Sequence, residues 1–401
     1  MRGRPVAIVA VAVAAATMTA TSVLGIAPAQ AARTGTVRVP CSVRALVLAM
    51  TSVSSGEVLS LASHCTYLLT QGLPVVSADL VILGNGATLT RSYAAGTSAF
   101  VILTSNAGTL TISRLSFRNG DGAITMGGGQ LTVTGGTFTG NTAADGGAIS
   151  EPTAQDGFNA PIVSNATFIA NRATDSGGAI FDGDNPLNGV QVTNCTFSLN
   201  RAANFGGAIY DFSIDETVNG STFVGNRAAN GGALFLDPAG VADMSNDVLK
   251  SNIATEEGGA IYTLSGLDIG NSKILSNSAG DMGGGIYIDP RNVFDLMTGT
   301  EFIGNSANYG GAIANQGFLE LSDVVISRNN VSEFGAGIYN QAFFEAANTL
   351  ITRNIAVSGG GGVYNDVNNE NYETPALTNT SVLNNRQDNC EPLGSLPGCV
   401  G

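Results

Sequence analysis

The chain holds one histidine, no tryptophan and two lysines among 401 residues. Each scarcity removes a class of function. A single histidine, His64, excludes any site that needs two, including the common two-His zinc centres. An acidic balance, with a formal charge of -14 and only the two lysines Lys250 and Lys273, speaks against nucleic acid as a partner, because a phosphate backbone is gripped by clustered cations. Proline is sparse at 12 residues and the 53 glycines follow no three-residue period, which excludes a collagen-like helix. Only 12% of residues are charged while 44% are hydrophobic, so the chain has apolar material to bury and is not a disordered polyelectrolyte.

Long apolar runs are also scarce. The one at Val6 to Ala16 follows Arg2 and Arg4 and precedes the small-x-small site Ala29-Gln30-Ala31. This pattern predicts an export signal over residues 1–31. The run is too short for a retained anchor, and no later stretch is long enough to span a bilayer. A secreted or surface-associated monomer is expected. The five cysteines suit an oxidising compartment. Cys41 and Cys65 bracket the first mature segment, and Cys390 and Cys399 the last, so two local disulfides are expected. Cys195 is left over. It stands in the strand-like run Val-Thr-Asn-Cys-Thr-Phe and reads as a buried free thiol.

What the chain has in excess is repetition. A Gly-Gly-Ala-Ile-like unit closes on Ile124, Ile149, Ile180, Ile209, Leu234, Ile261, Ile286, Ile313, Ile338 and Val363, at intervals of 25 to 31 residues. A second mark runs in phase: an apolar residue followed three positions later by asparagine. It recurs from Phe138 with Asn141 to Ile351 with Asn354. A period near 25 is too short for helical repeats or propeller blades. The runs between marks alternate and are β-branched or aromatic, and they are parted by Gly, Asn, Ser and Asp, which form turns. Three short strands and three turns per repeat give a parallel β-helix of stacked coils, all-β in class.

Domain organisation follows. Residues 32–75 form an N-terminal cap with a short helix near Cys41 to Met50, because an open solenoid end exposes core and strand edges. Residues 76–385 are the coils, and residues 386–401 are a cross-linked closing cap. Longer intervals at Ile180 and Ile209 place bulging loops at residues 151–160 and 182–188. The asparagines should stack as a side-chain amide ladder.

The paired Gly-Gly-Ala-Ile and Phe-x-x-Asn marks resemble the repeats of the chlamydial polymorphic outer membrane proteins. They also resemble repeats in secreted bacterial proteins of the right-handed parallel β-helix, or pectate-lyase-like, superfamily. The resemblance covers about Ile124 to Asn385. It implies a right-handed, single-stranded solenoid, a surface or secreted location and, from the chlamydial members, adhesion. No membrane barrel follows the repeats here, so outer-membrane insertion is not carried over. The superfamily also holds polysaccharide lyases and hydrolases, and fold alone does not transmit function.

Candidate surface chemistry starts one residue after the isoleucine column, at Phe181, Tyr210, Phe235, Tyr262, Tyr287, Tyr339 and Tyr364. Alternation turns these side chains outward. They either stack on one another or offer a stripe to sugar rings. Asp182, Asp184, Asp211, Asp215 and Glu216 gather beside the early part of that column. Such oxygens suit Ca²⁺, the one cofactor candidate, or form a solvated acidic rim. Calcium-dependent pectate lyases, which the resemblance brings in, use such a site with an arginine as base. Arg172, Arg201 and Arg227 directly follow ladder asparagines in consecutive coils, while Arg328 and Arg353 precede theirs. They suit a polyanionic sugar, or else pair with Asp145 and Asp175. Lys250 and Lys273 fall in adjacent coils, as a lyase base would. His64 sits in the cap and reads as structural. The leading expectation is a non-catalytic β-helix that binds an extracellular polysaccharide or cell-surface partner along its length. The alternatives are a lyase or glycosidase acting on an acidic polysaccharide, and a structural cell-envelope protein.

Overall fold

The computed structural model describes residues 35–152, 159–185, 189–213, 215–237, 240–292, 294–369, 374–397 and 399. The export signal lies outside these residues, as do positions 153–158 and 186–188 of the two expected loops.

One coil shows how the sequence makes the unit. Val241–Ser245 and Val248–Lys250 are strands separated by a corner at Asn246, whose φ is 58°. Asparagine tolerates this left-handed conformation better than most residues. Asn252 turns the chain into the two-residue strand Ile253–Ala254. Two glycines then lead to the strand Ile261–Thr263. Every strand lies parallel to its equivalents in the coils before and after.

Among the described residues the first two strands of each coil belong to a 25-stranded sheet, and the strand after the glycines to a 12-stranded sheet. Register in the twelve-strand sheet is fixed by the isoleucine column. Ile209 pairs with Leu234, Leu234 with Ile261, Ile261 with Ile286, and so on to Val363. These residues are fully buried and share one core with the phenylalanine column. Phe117, Phe138, Phe168, Phe197 and Phe223 stack with ring centroids 4.7–5.1 Å apart and planes within 9°. That distance is close to the spacing between hydrogen-bonded strands, so each ring meets the next without strain.

The glycine pair does two separate jobs. Gly231 has φ +62°, which a side chain rarely adopts. Gly232 has no such requirement, but a Cβ there would lie 2.2 Å from the carbonyl oxygen of Gly259 in the next coil. The first glycine makes the turn and the second lets the coils approach.

The asparagine ladder is complete from Asn141 to Asn385. Asn226 Oδ1 accepts from the backbone N–H and the Nδ2 of Asn200, each at 3.0 Å. Its own Nδ2 donates to Asn252 Oδ1 and to the Phe197 carbonyl, both at 3.0 Å. A fully buried amide thus satisfies its donors and acceptors at a corner where backbone pairing lapses.

Both ends are closed. The helix Val43–Thr51 is capped by Ser42, whose hydroxyl accepts from the Ala45 N–H. Leu46 and Met50 on its buried face join the main core, and the disulfide Cys41–Cys65 ties its start to the first coils. Stacking already begins at Thr36–Val39, which pairs with Glu57–Leu61. At the far end Cys390 pairs with Val363, is bonded to Cys399, and brings Leu396 over the core. Cys195 is buried and free. No helix among the described residues is long and apolar enough to cross a membrane.

Candidate functional site

The outer face of the twelve-strand sheet is the most differentiated surface. One residue beyond the core column, Tyr210 pairs with Phe181 and Phe235, Phe235 with Tyr262, and Tyr262 with Tyr287. The rings form a second stack outside the core, with centroids 4.8–5.5 Å apart. Their faces therefore meet each other, and exposure falls to 5% at Phe235 and 9% at Tyr262. The Tyr262 hydroxyl bond is buried, and those of Tyr210 and Tyr287 are part-buried. Each hydroxyl reaches one coil onward. Tyr210 donates to Asp237 at 2.8 Å, Tyr262 to Asp289 at 3.0 Å and Tyr287 to Gln316 at 2.8 Å. Burial, then the neighbouring carboxylates, push the Tyr210 and Tyr262 phenols well above their usual range, so they are donors at any ordinary pH.

Beside this stack runs an open groove of about 580 Å³. Phe235, Tyr262 and Leu264 form its floor. Phe205, Glu256, Glu257 and Asp281 rise on one side, from the turn that precedes the glycines, and Asp237 and Arg291 on the other. Arg291 is engaged with Asp289 through Nε at 2.8 Å and Nη2 at 3.1 Å. Desolvation, followed by the charges of Asp281, Asp289 and Glu256, raises the Glu257 carboxyl. The groove is aromatic below and acidic at its walls. These wall residues escape a sequence reading because they come from different coils and from turns. Their signal is a column two or three residues away from each repeat mark.

Two expected site residues lie elsewhere. Asp182 and Asp211 are not on the outer face beside the aromatic column; they point inward, at 0% and 2% exposure. The reason is the strand period. They stand two residues after the isoleucine, so their side chains point the same way as it does. Glu151 precedes them in the same column, in register with Asp182, as Asp182 is with Asp211. Ser213 donates to Asp182 Oδ2 at 2.7 Å and also bonds Asp211. Glu216 is buried close by and feels the charges of Asp211 and Asp182. Both Glu151 oxygens, both Glu216 oxygens and Asp182 Oδ1 have no hydrogen-bond partner. Burial pushes Glu151 up to about 8 and raises Asp182, Asp211 and Glu216 as well. Asp215 is exposed, which separates it from the other acids. Among the described residues no group of three or more His, Cys, Asp or Glu side chains is arranged to hold a metal ion.

Arg172, Arg201 and Arg227 are brought together, but not in the groove. They bridge in register on the short strands that follow the asparagine corner and are exposed. The expected pairing with Asp145 and Asp175 is not made: the ion pairs among the described residues are Lys273–Glu301 at 4.0 Å and Arg291–Asp289. Lys250 and Lys273 lie in the large sheet, away from the groove. His64 stays in the cap, with Nδ1 2.8 Å from the Ser63 hydroxyl.

No curated protein sequence matches the chain. Solved structures of similar shape include tailspike protein 3 of bacteriophage CBA120, at 13% identity and a TM-score of 0.41, over 87% of this chain and 59% of the tailspike. An alginate lyase of the PL6 family aligns at 14% identity and a TM-score of 0.33, over 87% of this chain and 53% of the lyase. The chain thus spans little more than half the length of either. Residues 79–241 match the family model of the right handed beta helix region, and the stack of coils as a whole has that right-handed parallel fold.

Proposed function

We propose that this is an exported, non-catalytic β-helix with repeats of the chlamydial outer-membrane kind, holding a glycan or a glycan-bearing surface along the outer face of its twelve-strand sheet. The observation that carries this reading is the groove over Phe235, Tyr262 and Leu264, open at the surface and continuous with the aromatic stack. An extended solenoid face suits a linear polymer, since each coil offers a similar set of contacts. Ring edges and Leu264 supply apolar contact, and the wall carboxylates supply acceptors for sugar hydroxyls. The neighbouring carboxylates of the groove make neutral glycans a better fit there than acidic ones.

Affinity electrophoresis of the purified protein against a panel of neutral and acidic polysaccharides tests the reading. Asp237→Ala with Glu257→Ala should weaken retardation by the neutral ligand about tenfold or more while leaving the melting temperature within a few degrees of wild type. Release of unsaturated or reducing sugar ends from any polysaccharide in the panel would instead make the protein an enzyme.

A further inference from the structure

We infer that the arginine column on the short strands is a separate binding surface for an acidic polysaccharide, independent of the groove. Arg172, Arg201 and Arg227 occupy one register position in three consecutive coils, preceded by Thr142 and followed by Ile253. Adjacent coils put their backbones about 4.8 Å apart. The residues that directly follow them, Ala173, Ala202 and Ala228, turn inward and pack together, so the arginines point out.

None of these guanidinium groups makes an ion pair or a side-chain hydrogen bond among the described residues. The carboxylates within reach in sequence are already used by uncharged donors. Asp145 accepts the Ser176 N–H at 3.0 Å, and Asp175 accepts the Asn204 amide at 2.7 Å. Three like charges in line repel one another, in a protein that carries 31 acidic residues against 17 basic ones. The repulsion is relieved by a ligand that brings one negative charge per coil.

The chemistry of that ligand can be narrowed. A guanidinium fork matches a carboxylate with two parallel hydrogen bonds. One sugar ring of an extended polyuronate is about as long as one coil is thick; the twist of such a chain turns successive carboxylates to different sides, and the long arginine side chains reach those that face the column. The surround is low. Ala170, Ala203 and Ala229 flank the column without obstructing it. Leu199 is 63% exposed and Ile253 39% exposed at its margins, and these offer apolar contact to the faces of sugar rings. Nucleic acid fits less well, because its phosphates are more widely spaced along a single strand than the coils are.

The test uses the purified protein in gels containing polygalacturonate or alginate, with a neutral glucan and a single-stranded oligodeoxynucleotide in parallel. Retardation by the polyuronates, weakened by added salt, is expected. Arg172→Gln, Arg201→Gln and Arg227→Gln together should lower polyuronate affinity about tenfold or more. The Asp237→Ala, Glu257→Ala groove variant should not lower it. Because the three side chains are exposed and unbonded, the triple variant should melt with wild type. The proposal is overturned if polyuronate is not bound at low salt, if the triple variant binds it as wild type does, if the groove variant abolishes binding, or if the oligonucleotide binds equally well. Loss of neutral-glycan binding alone would defeat the groove reading and leave this one standing.

Discussion

At the scale of single residues, the same interior position carries two chemistries. Asn315, Asn340 and Asn365 occupy the column two residues after the isoleucine, and each amide donates to the next, at 2.8 Å and 3.1 Å. Glu151, Asp182 and Asp211 occupy that column in the early coils but have only acceptors when ionised. The fold therefore retains protons on them. Their folded pKa values are raised above the unfolded values, so the folded state binds more protons across the intervening range. The stability this contributes is complete below about pH 4 and is lost as pH climbs through the raised values, with Glu151 ionising at about 8 and Asp182 above it. Thermal melting between about pH 5 and pH 9 should show a falling midpoint. Glu151→Gln with Asp182→Asn should flatten that fall and raise the midpoint at the alkaline end. An unchanged slope in the double variant would mean that these carboxyls are not the titrating groups. The ladder makes the converse case. Asn226→Ala strands the Asn200 donors and removes two donations, all at buried sites, so it should cost about 2–4 kcal/mol in urea unfolding.

At the scale of elements, the caps and columns differ in how plainly the sequence announces them. The isoleucine, phenylalanine and asparagine columns were legible because one physical demand recurs in every coil, and recurrence is visible in a string of letters. The helix near Met50 was legible from its apolar spacing, and its disulfide from the pairing of cysteines at each end. The inward carboxylates were not legible as such. Asp182 and Asp211 look like surface acids beside a surface column until the strand alternation is counted one step further. The groove was hidden for another reason: Asp237, Glu257 and Arg291 meet only after turn conformations have set the phase between coils. The arginine column was readable as a column, but its lack of partners was not, because Asp145 and Asp175 are near it in sequence and are engaged elsewhere in space. The N-terminal cap also yields a quantitative expectation. The Cys41–Cys65 bond closes a 24-residue separation, and its loss as Cys41→Ser with Cys65→Ser should cost about 3 kcal/mol. Proteolysis should then start within the helix Val43–Thr51, detected by mass spectrometry of the first fragments, while the central coils resist.

At the scale of the whole molecule, a solenoid is close to one-dimensional, because each coil touches only its neighbours and the ends need closing. A unit of whole-coil length should therefore be removable, provided the phase of every column is kept. Residues 253–277 run from just after Asn252 to the next ladder member, Asn277. Their deletion would set Asn252 under Asn305, Leu249 under Phe302, Leu234 under Ile286 and Phe235 under Tyr287, so the ladder, both core columns and the aromatic stack keep their phase, with one mismatch where Ala242 comes to face Asp295. The shortened protein should keep its far-ultraviolet β spectrum and a cooperative melt at a somewhat lower temperature. Deletion of residues 253–264 alone would put turn residues into strand positions and polar groups into the core, and that chain should aggregate or remain unfolded. The two deletions thus separate length from phase. The full-coil deletion also removes Glu256, Glu257, Tyr262 and Leu264 from the groove while leaving Arg172, Arg201 and Arg227 in place. It should lose the neutral glycan and keep the polyuronate. If both deletions failed to fold alike, neighbouring-coil contacts would not be what stabilises the molecule, and the independence assigned to its two faces would fall with them.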